Sequence, residues 1–376
     1  MARATPTPEF SAALQEAAQF STGLQRALRT LGQVGEVTLG PTPKDAVHAE
    51  DRLVLYRFKP LVQRSARSTP LLICYALVNR PWMMDLQEDR SLIRGLLGAG
   101  LDVYLIDWGY PDRADRWLEI DDYVNRYLER CVEHICREHG IDQVNLLGVC
   151  QGGTLSLCYA ALHPERVANL VTMVTPVDFH TDGNLLGTWA RETDVDALVE
   201  AHGNVPGELL NLTYLALMPF RLMSQKYVGL VDMADDAAQI ANFLRMEQWI
   251  FDSPDQPGEA FRQFVNWFYK ENRLVAGELS IGGRKVNLGA VTMPVLNVYA
   301  TKDHLVPPPA SLALGDLVGS RDYGTYAFEG GHIGIYVSGK AQRELPRTIA
   351  AWLLAREPAG RERVQGRAES SARHGG

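Results

Sequence analysis

The chain has 376 residues, 46 % of them hydrophobic and 22 % charged, which is enough apolar material for one large core and excludes wholesale disorder. A net charge of −8 without a long basic block argues against nucleic acid as the main partner. The longest apolar run, 71–78, falls far short of the ~20 residues of a membrane-spanning helix, so no membrane span is expected.

The start of the chain lacks the basic stretch and apolar run of a secretory signal. Residues 1–8 read as a flexible lead, and 9–31 as a helix with Phe10, Leu14, Ala17, Leu24, Leu28 and Leu31 near helical spacing. Short apolar runs at Leu53–Phe58, Leu71–Ala76, Asp102–Ile106, Val144–Val149, Leu170–Val174, Val295–Ala300 and Thr325–Phe328 read as strands, several continuous enough to be buried on both faces of a parallel sheet. Between them, 121–138 carries a two-plus-two apolar stripe that predicts a helix, with Asp121 or Asp122 as its cap and Gly140 as its stop. This alternation predicts an α/β core over 9–175 and 292–356. It breaks over 176–291, a stretch too long for a bare loop and therefore read as an inserted lid subdomain. The tail, 357–376, is rich in Arg, Glu, Gly and Ser and is expected to be disordered. The five cysteines, Cys74, Cys131, Cys136, Cys150 and Cys158, contain no C-x-x-C pair. They fit neither a disulfide framework nor a zinc cluster, which points to a reducing cytoplasm and to no metal.

One cysteine stands apart. Gly148-Val149-Cys150-Gln151-Gly152-Gly153 follows a predicted strand and precedes the apolar helix 154–163, the context of a nucleophile elbow with cysteine in place of serine. The helix start also puts partial positive charge beside the sulfur. Cys131, Cys136 and Cys158 lie on apolar helix faces and read as packing. An elbow requires an acid and then a histidine after later strands. Asp303 in Thr-Lys-Asp-His and His332 in Gly-Gly-His-Ile-Gly stand at those places. His304 is a rival base and Asp107 a rival acid; His304 adjoins the acid too closely, and Asp107 has a structural-turn reading. The oxyanion hole should draw on the backbone N–H of Gln151 and on the loop 76–81, with Val78 as the second donor.

The combination of Val78-Asn79-Arg80-Pro81, Asp107-Trp108-Gly109, Gly148–Gly153, Thr175-Pro176-Val177-Asp178-Phe179, Asp303-His304-Leu305-Val306-Pro307 and Gly330-Gly331-His332-Ile333-Gly334 resembles the polyhydroxyalkanoate synthases. The resemblance is to PhaC catalytic subunits of the two-subunit type, because the N-terminal domain of single-subunit synthases is missing ahead of the core. It implies an α/β-hydrolase fold and an acyltransferase that polymerises (R)-3-hydroxyacyl-CoA, with 3-hydroxybutyryl-CoA the expected monomer. It further implies no cofactor beyond the coenzyme A carried by the substrate. The implied partner is a second subunit, PhaE-like in preference to PhaR-like, in a homodimer or hetero-oligomer at the surface of cytoplasmic polyester granules.

The chemistry of sulfur points the same way. An acyl-cysteine is a thioester, so acyl transfer from coenzyme A exchanges like for like and keeps the chain activated for the next hydroxyl. A cysteine hydrolase of esters, lactones or thioesters is the alternative on the same residues. Arg80, Arg191, Arg221 and Arg245 are the candidates for the coenzyme A phosphates, each with a solvated-surface reading beside it.

Overall fold

The computed structural model describes residues 8–62, 69–219 and 228–357. Most of the predicted lead and tail, and Arg221, lie outside these residues. The chain opens with helix α1 (Pro8–Val34) and builds an eight-stranded sheet. Its strands are β1 (Lys44–Glu50), β2 (Leu53–Phe58), β3 (Leu71–Cys74), β4 (Val103–Asp107), β5 (Val144–Val149), β6 (Val167–Met173), β7 (Val295–Ala300) and β8 (Tyr323–Phe328). In space they run β1-β2-β4-β3-β5-β6-β7-β8. β2 pairs antiparallel with β1 and β4, and every other pairing is parallel.

The central strands are buried along their whole length because helices cover both faces. Helix α2 (Leu92–Gly98) and the C-terminal helix α10 (Gly339–Leu354) share one face, where Gly95 meets Pro346 so closely that an added Cβ would lie 2.4 Å from the proline ring. On the other face lie α3 (Glu129–His139), entered through the π-helical turn Asp122–Leu128, and α4 (Gln151–Leu162).

Several sequence expectations need correction. Asp121 makes no cap and accepts from the Asn125 amide, while Asp122 caps the start of this helical segment from inside it by accepting the Glu119 N–H. Gly140 does end the helix, in the left-handed region. β3 stops at Cys74, two residues short of the predicted strand end at Ala76. β1 was not foreseen: as a half-exposed antiparallel edge strand it carries no apolar run. Pro8 already belongs to α1, and Glu357 is engaged, its carboxylate accepting the Thr69 N–H at 2.8 Å.

Between β6 and β7 the chain forms α5 (Leu185–Glu192), α6 (Val195–His202), α7 (Gly207–Ala216), α8 (Ala237–Phe251) and α9 (Gly258–Phe264), followed by a π-helical turn, Val265–Lys270. The second half of α1 packs on α8, with Ala27, Leu31 and Val34 against Ile240, Phe243 and Leu244.

Candidate active site

β5 runs straight into α4 with only Cys150 between them. Cys150 adopts φ 52 and ψ −125, a strained conformation for a residue with a side chain, and its N–H is held by the Met173 carbonyl at 2.9 Å. The turn closes only because its neighbours lack side chains. A Cβ on Gly152 would sit 2.4 Å from the Cys74 and Tyr75 carbonyl oxygens, and one on Gly148 would sit 2.5 Å from the Gly153 Cα. The result lifts the sulfur from the carboxyl end of the sheet into an apolar pocket.

Asp303 and His332 reach the same place from the ends of β7 and β8. The two strand-end loops are laced together by Thr301 N–H to the Phe328 carbonyl at 2.9 Å and Lys302 N–H to the Gly330 carbonyl at 2.8 Å. The lacing fixes their separation, and His332 Nδ1 donates to Asp303 Oδ2 at 2.7 Å. Asp303 Oδ1 is occupied by the N–H groups of Leu305 at 2.9 Å and Val306 at 3.0 Å, so the carboxylate is anchored and faces only the histidine. On its other side His332 is hydrogen-bonded to Cys150. Burial alone would lower the His332 pKa. The charges of Asp303 and Cys150 and the hydrogen bonds to both outweigh it, and the value rises to about 10.

Val78 and Gln151 both line the pocket beside Cys150. Gln151 opens α4, so its N–H has no intrahelical acceptor. The Val78 N–H donates to no other described residue. The neighbouring Leu77 N–H is taken by the Gln151 side chain at 3.1 Å, a side-chain role that sequence reasoning missed.

The rivals go elsewhere. Asp107 is ion-paired with Arg80 and accepts the Gly109 N–H, which makes it a turn residue. His304 lines the pocket, but His332 is the histidine on Asp303. Arg80 is buried in its ion pair and Arg245 donates to Thr38 and Gln87, while Arg191 stays on an exposed helix end. The stretch between β6 and β7 adds Tyr214, Trp249, Phe264 and Tyr269 to the pocket wall. Burial, with the Cys150 charge as a further cause, raises the pKa of Tyr214. No sequence spacing marks these aromatics. Among the described residues no group of His, Cys, Asp and Glu could hold a metal, and no helix is long and apolar enough to cross a membrane.

A strained elbow at the end of β5, with an acid and a histidine at the ends of two later strands, defines the α/β-hydrolase class. Residues 69–337 match the α/β-hydrolase fold family. The solved structure of BpoC from Mycobacterium tuberculosis shares the fold, with a TM-score of 0.50 and 14 % identity over 83 % of this chain and 98 % of its own. Closer relatives share more. The poly(3-hydroxyalkanoate) polymerase subunit PhaC of Thiocystis violacea is 56 % identical over 91 % of this chain and 96 % of its own length. Its namesake in Allochromatium vinosum is 57 % identical over 91 % and 97 %, and that of a Synechocystis species 53 % over 92 % and 93 %. The chain belongs to the family of PhaC subunits of poly(3-hydroxyalkanoate) polymerases.

Proposed function

We propose that this chain polymerises (R)-3-hydroxyacyl-CoA by passing each acyl group through a thioester on Cys150. The observation that carries the reading is the arrangement of Cys150, His332 and Asp303 in an apolar pocket, in a chain more than half identical to named polymerase subunits. His332, whose proton affinity is raised by Asp303 and by the sulfur, holds the proton of the Cys150 thiol, and the sulfur attacks the thioester carbonyl. The N–H groups of Val78 and Gln151 hold the oxyanion. The tetrahedral adduct collapses, the C–S bond to coenzyme A breaks, and the proton on His332 leaves with the coenzyme A thiol.

The neutral imidazole then takes the proton of a 3-hydroxyl as that oxygen attacks the acyl-cysteine. An ester bond forms and the Cys150 sulfur recovers the proton. His332 serves both halves because Asp303 has no oxygen left to offer: one binds two backbone N–H groups and the other binds His332. The helices of 176–291 act as a lid that keeps water, the competing nucleophile, from the acyl-enzyme. 3-Hydroxybutyryl-CoA is the monomer we assign. The working assembly pairs this chain with a PhaE-like helical subunit at a cytoplasmic granule surface.

The test is incubation with 3-hydroxybutyryl-CoA, following coenzyme A release and product size, with Cys150→Ala as the control. Long polyester from the parent and none from the variant is expected. Free 3-hydroxybutyrate as the main product, or release unchanged in the variant, would overturn the assignment.

A further inference from the structure

The loop that carries Val78 is held from two sides, and the two holds belong to different parts of the molecule. Behind Val78, the Leu77 N–H is tied to the Gln151 side chain on α4, within the sheet-bearing core. Ahead of it, Asn79 sits in the left-handed region at φ 59 and aims its amide at the end of α8. Asn79 Nδ2 lies 3.3 Å from the Ile250 carbonyl oxygen and 3.5 Å from that of Trp249. These are among the last four carbonyls of a helix, which have no intrahelical donor and must find one elsewhere. Asn211 supplies a second, its amide donating to Ile250 at 2.6 Å. The bond is returned: Trp249 Nε1 donates to the Arg80 carbonyl at 2.7 Å, with the indole itself buried. Beyond it the Arg80 guanidinium stacks on Tyr110, whose hydroxyl donates to Asp252 just past α8. The end of α8 and the loop 78–80 therefore satisfy each other's polar groups.

We propose that Asn79 and Trp249 are positioning residues that make the Val78 donor depend on the seating of α8. With α8 seated, the loop is stretched between Gln151 and the helix end, and Val78 lines the sulfur's pocket. With α8 displaced, the Asn79 amide and the Arg80 carbonyl lose their partners on the helix, and the stretch around Val78 keeps only the Gln151 bond behind it and the Arg80–Asp107 ion pair of side chains ahead of it. The oxyanion hole is then complete only while the helix covers the pocket, which couples acyl transfer to exclusion of water. The inference rests on the assignment of Val78 to the oxyanion hole.

The variants that test it are Asn79→Gly, which keeps the backbone conformation without strain and removes the donor, and Trp249→Phe, which keeps most of the packing and removes the N–H. Two rates are read on the full chain: the first burst of coenzyme A release from 3-hydroxybutyryl-CoA, and alkylation of Cys150 by iodoacetamide. Alkylation needs the sulfur and His332 but develops no oxyanion. The expected result in each variant is a burst slowed about 10- to 100-fold, with KM changed less than about threefold and alkylation unchanged. A burst within about twofold of the parent in both variants would overturn the proposal. So would equal losses in burst and alkylation, which mark general damage to the site. If Asn79→Gly fails to fold, Trp249→Phe alone decides. Failure of the Cys150 assignment looks different, because the Cys150→Ala control would then keep its coenzyme A release.

Discussion

The two parts of the chain that meet at the pocket are built differently. The sheet contributes Cys150, Asp303 and His332 from the carboxyl ends of three parallel strands; β5 and β7 are wholly or mostly buried, and β8, behind His332, is a half-exposed edge strand. The helices between β6 and β7 contribute none of the three. They contribute a wall of large side chains, and they leave Leu185, Leu209, Leu212 and Phe251 exposed. A parallel sheet covered on both faces is a rigid mount, suited to holding a sulfur, an imidazole and a carboxylate to a few tenths of an ångström. A half-buried helical layer has fewer contacts to lose when it moves, which suits it to covering and uncovering that mount. On the proposed function, chemistry is assigned to the first part and access to the second.

The largest effect that could break this division is at the sulfur. Cys150→Ser should fold, because Ser is smaller and the strained turn is set by the backbone and its glycines. It should lose most polymerisation, by about 10⁴-fold or more, since the hydroxyl is a weaker nucleophile and its acyl form is an oxygen ester. Near-parent rates of polymer formation in that variant would refute the thioester argument.

Asp303→Asn comes next. The amide can still hydrogen-bond to His332, but it carries no charge to stabilise the imidazolium and disfavours the productive tautomer. By analogy with Ser-His-Asp sites, a loss approaching about 10⁴-fold in kcat is expected, with a much smaller change in melting temperature. A collapsed melting temperature with normal turnover per folded molecule would make Asp303 a purely structural anchor for Leu305 and Val306.

The third effect is on stability. The folded pKa of His332, about 10, lies above its ordinary value of 6.5. Its protonation therefore stabilises the fold fully below about pH 6.5, and that stabilisation is lost as pH rises through about 10. His332→Gln cannot titrate, so its melting temperature should decline less between pH 7 and pH 10 than the parent's. Parallel melting curves for the two proteins across that range would show that the proton on His332 contributes nothing to stability.

These residues were legible because each part of the elbow pattern is local: a strand, a tight turn, a helix, and a polar residue after each of two later strands. β2, β5 and β7 were legible from short apolar runs, each broken by one polar residue, Arg57, Asn145 and Asn297. The run beginning at Leu71 overstated its strand because Tyr75 and Ala76 stay buried in the same core past the last ladder pairing, where they line the pocket. β1 was silent because an edge strand with one neighbour needs no apolar face. The clasp between Asn79 and Trp249 joins residues 170 positions apart through a backbone carbonyl, and a carbonyl leaves no mark on sequence.

The smallest expected effect sharpens the comparison at the edge of the helical layer, where α1 rests on α8. Two neighbouring residues make that contact in different ways. Arg26 forms an ion pair with Asp235 at 2.7 Å, with the two side chains 51 % and 73 % exposed. Ala27 is fully buried against Leu230, Ala234 and Ile240. An exposed pair between mobile side chains is worth under about 1 kcal/mol, because water screens the charges and holding both side chains costs entropy. Arg26→Ala should therefore lower the melting temperature by no more than ~2–4 °C, and the difference should shrink at high salt. Ala27→Leu forces three carbons into a filled site, which costs about 1–3 kcal/mol and does not respond to salt. The check is thermal unfolding of both variants at low and high salt. If Arg26→Ala proved the more damaging of the two, the contact between α1 and α8 would be electrostatic, and the apolar seating of the helical layer would have to be abandoned.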